Sequence, residues 1–263
     1  RGLNEARDKS IPLRERLQFG SITSSNLDEC FMVRVASLKD MVHANYKKKD
    51  IAGMSASEQL EKINERTREL VTLQYNTYNR SLVPLMHQHG IVVIDAFEDL
   101  SESQAAFVDR YFEDNVYPVL TPMAVDASRP FPLIRNKTLN IAALLSKKKG
   151  KAEKEEIEFA TVQVPSVLPR LVHIPSEDGN EKTFILLEQV IERNIDKLFL
   201  NYDVLCAYPY RVMRNADLSI DEDEAADLLK EIQKELKMRQ WGAVIRLEVE
   251  EGSDKKLLSC LKD

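Results

Sequence analysis

The chain has 263 residues, of which 43% are hydrophobic and 30% are charged, and its formal net charge is −6. This composition is typical of a soluble globular protein and excludes an intrinsically disordered chain. At roughly 150 residues per domain, the length favours two domains. The acidic net charge argues against binding to nucleic acid, although it leaves room for a local basic patch.

Cysteine usage and hydropathy suggest a protein of a reducing compartment. Cys30, Cys206 and Cys260 form no CxxC pair, which argues against a zinc site or a disulfide framework and favours the cytoplasm. The longest apolar run, at 139–145, is too short to span a bilayer. Because the chain opens without Met and closes on SDKKLLSCLKD, typical of a helix just begun, we expect a piece of a longer protein.

Helical patterns dominate the first 90 residues. Residues 1–19 favour helix around Pro12, and Ser55 with Glu58 fits a capping box that opens a long helix ending near His89. Gly90 fits the position just after that helix. Residues 1–90 are therefore predicted to form a bundle of about three helices.

The stretch SSNLDECF, residues 24–31, carries a helix-start signal. Apolar residues recur after it at spacings of three and four, at Leu27, Phe31, Val35, Leu38 and Val42. The pattern predicts that a helix begins here, with Asn26 as its cap and with Asp28 and Glu29 as acids of its first turn. The residues alone do not decide whether this stretch also contacts a ligand.

From about residue 100 onward, helical and strand patterns alternate. IVVIDAF leads into a helix over LSESQAAFVDRYFEDNV, for which Ser101 and Ser103 are cap candidates, and four prolines between 118 and 132 exclude a long element. TLNIAALLS and EIEFATVQV predict two strands joined by a charged loop, and YDVLCAYPYRVMR and AVIRLEVE predict two more. An amphipathic helix is predicted over 221–239. The fold class is thus α+β and multidomain, an N-terminal all-α helical bundle followed by a mixed α/β domain.

The residues alone show no active site. Eight glycines, each at least ten residues from the next, exclude the GxGxxG and GxxxxGK[ST] phosphate loops. His87 and His89 stand two apart near a helix end, where favourable dipole placement is a better account than a metal. The acidic run 221–224 fits either a helix start or a cation site, with the helix start favoured. The basic run 147–149 with Lys151 fits a solvated hairpin tip better than a polyanion site.

Three long stretches resemble the first part of bacterial polyphosphate kinase. They are DKSIPLRERLQF…SSNLDECFMVRVASLKD (8–40), VYPVLTPMAVDASRPFPLIRNKTLNIAALL (116–145), and VPSVLPRLVHIP…FILLEQVIERNIDKLF…YPYRVMRNADLSIDEDEAADLL (164–229). The resemblance implies an N-terminal helical domain over 1–99 and a head (middle) domain over 100–263, truncated at its C-terminal end. It also implies reversible transfer of the ATP terminal phosphate to inorganic polyphosphate through a phosphohistidine, with Mg²⁺.

The same resemblance implies that the catalytic and metal-binding residues belong to another part of a longer enzyme. In the family, the phosphorylated histidine and the magnesium ligands lie in two C-terminal domains, and no segment of this chain resembles those domains. The resemblance therefore assigns no catalytic residue and no metal ligand to this chain. The fragment alone is expected to be inactive and to need no cofactor to fold. The implied partners are ATP or ADP, polyphosphate, the C-terminal domains, and further copies in a homodimer or tetramer; peripheral membrane association is an open expectation. The alternative is a non-catalytic interaction or dimerisation module.

The resemblance carries one ligand-binding residue into this chain. In the family segment SNLDEFF, the Asn before Leu-Asp-Glu contributes to ATP binding near the adenine, and that position is Asn26. The chain departs from the family at Cys30, where an aromatic residue is usual; a small buried hydrophobe is favoured there over a reactive thiol. Because the head takes part in dimerisation, Tyr208, Tyr210 and residues 116–134 are candidate contacts, with ordinary packing as the alternative.

Overall fold

A computed structural model describes residues 1–125, 131–147, 157–176, 179–216 and 242–262. The chain divides into two compact units. Unit 1 comprises Arg1–His89 and Val212–Arg246, and unit 2 comprises Gly90–Arg211 and Leu247–Asp263. The helix predicted over 221–239, the acidic run at its start, and Lys148, Lys149 and Lys151 of the basic run lie outside the described residues.

Helices build the N-terminal part of unit 1, as predicted. They are α1 (Gly2–Arg7), α2 (Leu13–Cys30), α3 (Ala36–His43), α4 (Ala56–Thr77) and α5 (Val83–Gln88). Five-residue π-helical turns, Phe31–Val35 and Tyr78–Leu82, join α2 to α3 and α4 to α5. The predicted capping box is confirmed, since Ser55 Oγ accepts from Glu58 N and Glu58 Oε2 accepts from Ser55 N. Gly90, at φ +70°, follows α5 as expected.

The prediction that a helix begins at Asn26 is wrong. Helix α2 starts directly after Pro12 and runs unbroken through Asn26, which is therefore not a cap. Asp28 and Glu29 are not first-turn acids either, because both lie near the end of α2, where Asp28 is buried. Two hydroxyls at the start of the polar run are accommodated inside the helix: Thr23 Oγ1 donates to Phe19 O, and Ser24 Oγ accepts from Gln74.

Unit 1 has a small core around the first π-helical turn. Phe31, Met32, Val35 and Ala36 pack with three residues from the later part of the chain, Met213, Ala216 and Ile245. Leu27, Leu60 and Ile63 pack against the edge of this cluster. The segment after residue 211 thus completes the core of the helical unit.

Unit 2 contains a small three-stranded sheet and most of a larger one. The strands are β1 (Ile91–Ile94), β2 (Pro122–Val125), β3 (Leu139–Lys147), β4 (Ile157–Gln163), β5 (Leu171–Ile174), β6 (Lys182–Leu186), β7 (Tyr202–Arg214) and β8 (Val244–Val249). The small sheet has the order β1-β6-β5, with β1 parallel to β6. The large sheet has the order β2-β4-β3-β7-β8, and β2, β4, β3 and β7 pair antiparallel in turn.

Helices cover the buried faces of these sheets. They are α6 (Glu102–Tyr111), extended by a π-helical turn (Phe112–Val116), then α7 (Leu187–Arg193) and α8 (Lys255–Lys262); short 3-10 turns occupy Phe97–Asp99, Tyr117–Val119 and Ile195–Leu198. The core joins Val108 and Phe112 to the alternate β3 residues Ile141, Ala143 and Leu145. The two strands predicted at TLNIAALLS and EIEFATVQV are therefore the centre of this unit.

The structure decides between the two cap candidates of α6. Ser101 Oγ accepts from Gln104 N and Gln104 Oε1 accepts from Ser101 N, whereas the Ser103 hydroxyl contacts Ser101 Oγ and caps no backbone N–H. We expect Ser101→Ala to lower the free energy of unfolding by about 1 kcal/mol, and Ser103→Ala to change it by less than about 0.5 kcal/mol. Chemical denaturation followed by circular dichroism measures both, and equal losses would contradict the assignment.

Candidate functional site around Asn26

Asn26 lies on an exposed face of α2, one turn before that helix ends at Cys30. Its neighbours on the helix surface, three and four positions away, are Ile22, Thr23, Glu29 and Cys30. The Asn26 amide makes no hydrogen bond to any residue in the described part of the chain. Both its carbonyl oxygen and its NH₂ group are therefore available to a ligand.

The N-terminal half of α2 is anchored by polar contacts. Arg16 is buried; its Nε donates to Ala6 O at 2.9 Å and its terminal nitrogen donates to Ser81 Oγ at 2.8 Å. Further along, Gln74 of α4 donates from Nε2 to Gly20 O at 3.2 Å and to Ser24 Oγ at 2.5 Å. The helix that carries Asn26 is thus tied to its surroundings at two levels before the site.

The C-terminal side of the site is fixed by the π-helical turn. In this turn Ala36 N bonds to Phe31 O, five residues back, so Met32 O lacks its usual helical partner. Ala216 N donates to that Met32 oxygen at 3.0 Å. The Arg246 guanidinium lies 4.4 Å from the Phe31 ring centre, a favourable cation–π placement. Turns of this kind are frequent at functional sites.

The charges near Asn26 favour an uncharged ligand group over a phosphate. Glu29 is exposed one turn away on the same face, and a carboxylate at that distance repels a polyanion. An Asn amide pairs with an adenine edge through one acceptor and one donor, a geometry that needs no charge. The arrangement therefore suits an uncharged ligand group that offers one donor and one acceptor.

The other residues singled out from the sequence are scattered. His87 and His89 are exposed around the end of α5, as predicted for imidazoles near a helix C-terminus, and His173 lies edge-on to Phe184 on β5 and β6. Lys147 is exposed at the end of β3. Within the described ranges no group of three or more His, Cys, Asp or Glu side chains could hold a metal ion.

The candidate contact residues of the head differ from one another. Tyr210 is 2% exposed and its hydroxyl lies 2.8 Å from Thr161 Oγ1; burial raises the pKa of this phenol to about 12. Tyr210 is thus a core residue, which favours the packing alternative. Tyr208 is half-buried, and Tyr117, Val119 and Leu133 within the 116–134 segment are exposed.

Cys30 is a half-buried free thiol at the end of α2, and Cys206 and Cys260 are also free.

Among the described helices, none is both long enough and apolar enough to cross a membrane.

Sequence reasoning missed two features that shape the molecule. The π-helical turn at Phe31–Val35 has no periodicity signal, because it adds one residue to a helix that otherwise continues. The contacts of Gln74 with Gly20 and Ser24 join residues 54 and 50 positions apart in the sequence. Both features depend on contacts between residues far apart in the sequence, which a local sequence pattern does not reveal.

Two family profiles match the chain. One, described as "Polyphosphate kinase middle domain", matches residues 103–263, and the other, "Polyphosphate kinase N-terminal domain", matches residues 1–94. The chain belongs to the polyphosphate kinase family. The predicted family is therefore confirmed, whereas the boundary predicted at residue 99 lies between the two matches and stays a prediction.

Two bacterial polyphosphate kinases are similar to the chain over almost all of its length. The chain is 52% identical to a polyphosphate kinase of Lactiplantibacillus plantarum over 97% of its length and 34% of the relative, and 49% identical to one of Halalkalibacterium halodurans over 100% of its length and 37% of the relative. It thus spans about a third of these polyphosphate kinases.

A solved structure shows the same architecture. The crystal structure of polyphosphate kinase from Porphyromonas gingivalis matches with a TM-score of 0.71 and 26% identity, covering 90% of this chain and 35% of that one. The predicted fold class, an all-α N-terminal bundle followed by a mixed α/β domain, is confirmed.

Proposed function

We propose that this chain is the N-terminal and middle part of an enzyme that reversibly transfers the terminal phosphate of ATP to inorganic polyphosphate. The observation that carries the proposal is the match of both family profiles, in order, over nearly all of the chain. The phosphorylated histidine and the Mg²⁺ ligands are assigned to the remaining part of the polyphosphate kinase. No metal ligand is proposed in this chain.

The chain's own part in this reaction is to bind the base of ATP. Asn26 supports this role through its exposed position and through its amide, which bonds to no described residue, and Glu29 disfavours the phosphate end at the same place. The carbonyl oxygen of Asn26 can accept from the adenine amino group while its NH₂ donates to a ring nitrogen. ATP would then enter with its phosphates directed away from α2.

Asn26→Asp should weaken ATP binding in a polyphosphate kinase of full family length that carries this segment. The aspartate keeps an acceptor but removes both donors and places a negative charge against the ring nitrogen. We expect the dissociation constant for ATP, measured by calorimetry, to rise about 5- to 20-fold, which corresponds to the loss of one to two hydrogen bonds. The melting temperature should hardly change, since Asn26 is exposed and bonded to no described residue.

Ser25→Asp is the matched control for the Asn26 variant. Ser25 is exposed on the same helix, so the substitution adds the same charge next to the site without removing an amide. If ATP binds equally tightly to wild type and Asn26→Asp, the adenine role is refuted. If both aspartate variants weaken ATP equally, charge alone accounts for the loss.

Polymer synthesis tests the activity as a whole. The full-length polypeptide should convert ATP labelled in its terminal phosphate into a labelled polymer that precipitates in cold acid, with Mg²⁺ present, and these 263 residues alone should not. A full-length protein that binds but makes no polymer would favour the non-catalytic interaction module.

Assembly and location belong to the same proposal. We place the enzyme in the cytoplasm as a homodimer or tetramer, with peripheral membrane association left as an expectation. The exposed apolar side chains of Tyr117, Val119 and Leu133 support the 116–134 segment as a contact between copies. Tyr210 is left out of that contact because it is buried.

A further inference from the structure

The side chain of Gln74 bridges one full turn of the helix that carries Asn26. Its Nε2 donates to Gly20 O at 3.2 Å and to Ser24 Oγ at 2.5 Å, and these acceptors stand four residues apart on α2. One amide group thus contacts α2 at two successive levels from the neighbouring helix α4. Ser24, the nearer contact, lies only two residues before Asn26.

At Gly20 and Ser24, α2 borders a cavity and not closely packed side chains, so the polar contacts from Gln74 help to fix the helix there. Gly20 has no side chain, and a Cβ atom built on it would meet nothing within 4 Å. Beside it lies a cavity of about 280 Å³ whose lining includes Leu17, Ser21 and Tyr75, as well as Gln74 itself. A helix face that borders a cavity can rotate more easily than one that is close-packed, because fewer contacts resist the movement.

Rotation of α2 would be transmitted directly to Asn26. Ser24 and Asn26 lie about 200° apart around the helix axis, so Gln74 holds the side of the helix opposite the candidate nucleotide contact. At a side-chain radius of about 6 Å, a rotation of about 10° moves the Asn26 amide by about 1 Å. A displacement of that size is enough to spoil a paired hydrogen-bond geometry.

We propose that Gln74 is a positioning residue for Asn26, which sets the rotation of α2 so that the Asn26 amide meets the adenine edge. This inference rests on the proposed adenine contact of Asn26. It assigns to Gln74 no contact with ATP. Its effect should therefore concern how well the enzyme recognises the base, and not how fast it transfers phosphate.

The test uses a full-length polyphosphate kinase carrying Gln74→Leu, with ATP and inosine triphosphate as alternative substrates. Inosine triphosphate has an oxygen in place of the adenine amino group, so it cannot form the same pair with Asn26. We expect the KM for ATP to rise about 3- to 10-fold, the range for one misplaced hydrogen bond, while kcat stays within about twofold. The preference for ATP over inosine triphosphate should fall by a similar factor.

Gln59→Leu is the matched control. It makes the same substitution on the same helix α4, where the Gln59 side chain donates to Met54 O at the helix start, at 3.5 Å, and to no acceptor on α2 among the described residues. Ser24→Ala is a milder second variant that removes one of the two acceptors and keeps the proposal testable if Gln74→Leu folds poorly. Both the Ser24 and the Gln74 variant should reduce base preference, and their combination should add little to Gln74→Leu alone.

The possible results distinguish a failure of the Gln74 positioning role from a failure of the proposed adenine contact of Asn26. If Asn26→Asp leaves base preference unchanged, the adenine contact itself fails. If Asn26→Asp reduces base preference but Gln74→Leu and Ser24→Ala do not, the adenine contact stands and the positioning role is overturned. A uniform loss of kcat for both nucleotides, with a lowered melting temperature, would likewise assign Gln74 to stability alone and overturn the inference.

Discussion

Replacing Phe112 by alanine should lower the free energy of unfolding of unit 2 by about 3–5 kcal/mol, the largest loss expected from a single substitution here. Phe112 is fully buried at the start of the π-helical turn that extends α6. Its ring meets Tyr117 edge-on at 6.0 Å, and Lys197 Nζ lies 5.7 Å from the ring centre. Alanine would leave a cavity between α6 and the sheets that the surrounding residues can fill only in part.

Urea denaturation followed by circular dichroism measures this loss, and hydrogen exchange of the β3 and β4 amides assigns it to unit 2. Phe107→Ala is the control: Phe107 lies on the same helix α6, is 38% exposed, and stacks on Tyr111. We expect the control to lose less than about 1 kcal/mol. A Phe112 variant that is no less stable than the Phe107 variant would show that this core does not depend on the ring.

Local patterns were sufficient where local chemistry decides the structure. The capping box at Ser55 needs only residues three positions apart and forms as predicted, and one of the two predicted cap candidates, Ser101, caps α6. Strand β7 spans the same residues, Tyr202–Arg214, as the predicted YDVLCAYPYRVMR strand. At the helix starts the local hydrogen bonds favour the observed caps, and in β7 the alternation of side chains favours the observed strand.

Long-range contacts decided the features that local patterns missed. Ser24 and Asn26 have the residue types of a helix start, but the bond from Gln74 to Ser24 and the continuity with Leu13 keep them inside α2. Similarly, no pattern could show that Met213 and Ile245 complete the core around Phe31. Interactions between residues far apart in sequence override local preference at these positions.

The candidate site followed from the resemblance more than from its own residues. Asn26 was identified because its position in SSNLDECF matches a family segment, while its local physics suggested a cap and led to a wrong assignment. The structure removes that competing role, since a mid-helix Asn has no backbone N–H to cap. What holds Asn26 in place, namely Gln74 and the turn bonded to Ala216, became visible only in three dimensions.

A buried carboxyl in unit 2 should make stability fall as the pH rises. Glu192 of α7 is 8% exposed, and its Oε2 accepts a hydrogen bond from Gln189 Nε2 at 3.0 Å. It faces three more carboxyl groups, Glu250, Glu188 and Glu98, of which Glu188 pairs with Arg170. Burial, and then repulsion from Glu250, raise the pKa of Glu192 from 4.5 to about 8.

The direction of the effect follows from proton binding. Between pH 4.5 and 8 the folded protein keeps the Glu192 proton, whereas the unfolded chain has lost it. The stabilisation from this group is therefore complete below pH 4.5 and declines until the pH passes about 8. Between about pH 6 and pH 8.5 we expect a loss of about 2–3 kcal/mol in the free energy of unfolding.

Glu192→Gln should remove most of this pH dependence, because a glutamine carries no charge at either pH and its carbonyl oxygen can still accept from Gln189. Urea denaturation of the variant and the wild type at the two pH values measures the difference. Glu113→Gln is the control, since Glu113 is exposed and pairs with Lys197 at the surface. If wild type and Glu192→Gln lose stability in parallel as the pH rises, Glu192 is ionised in the folded protein, and the proton it is expected to hold is absent.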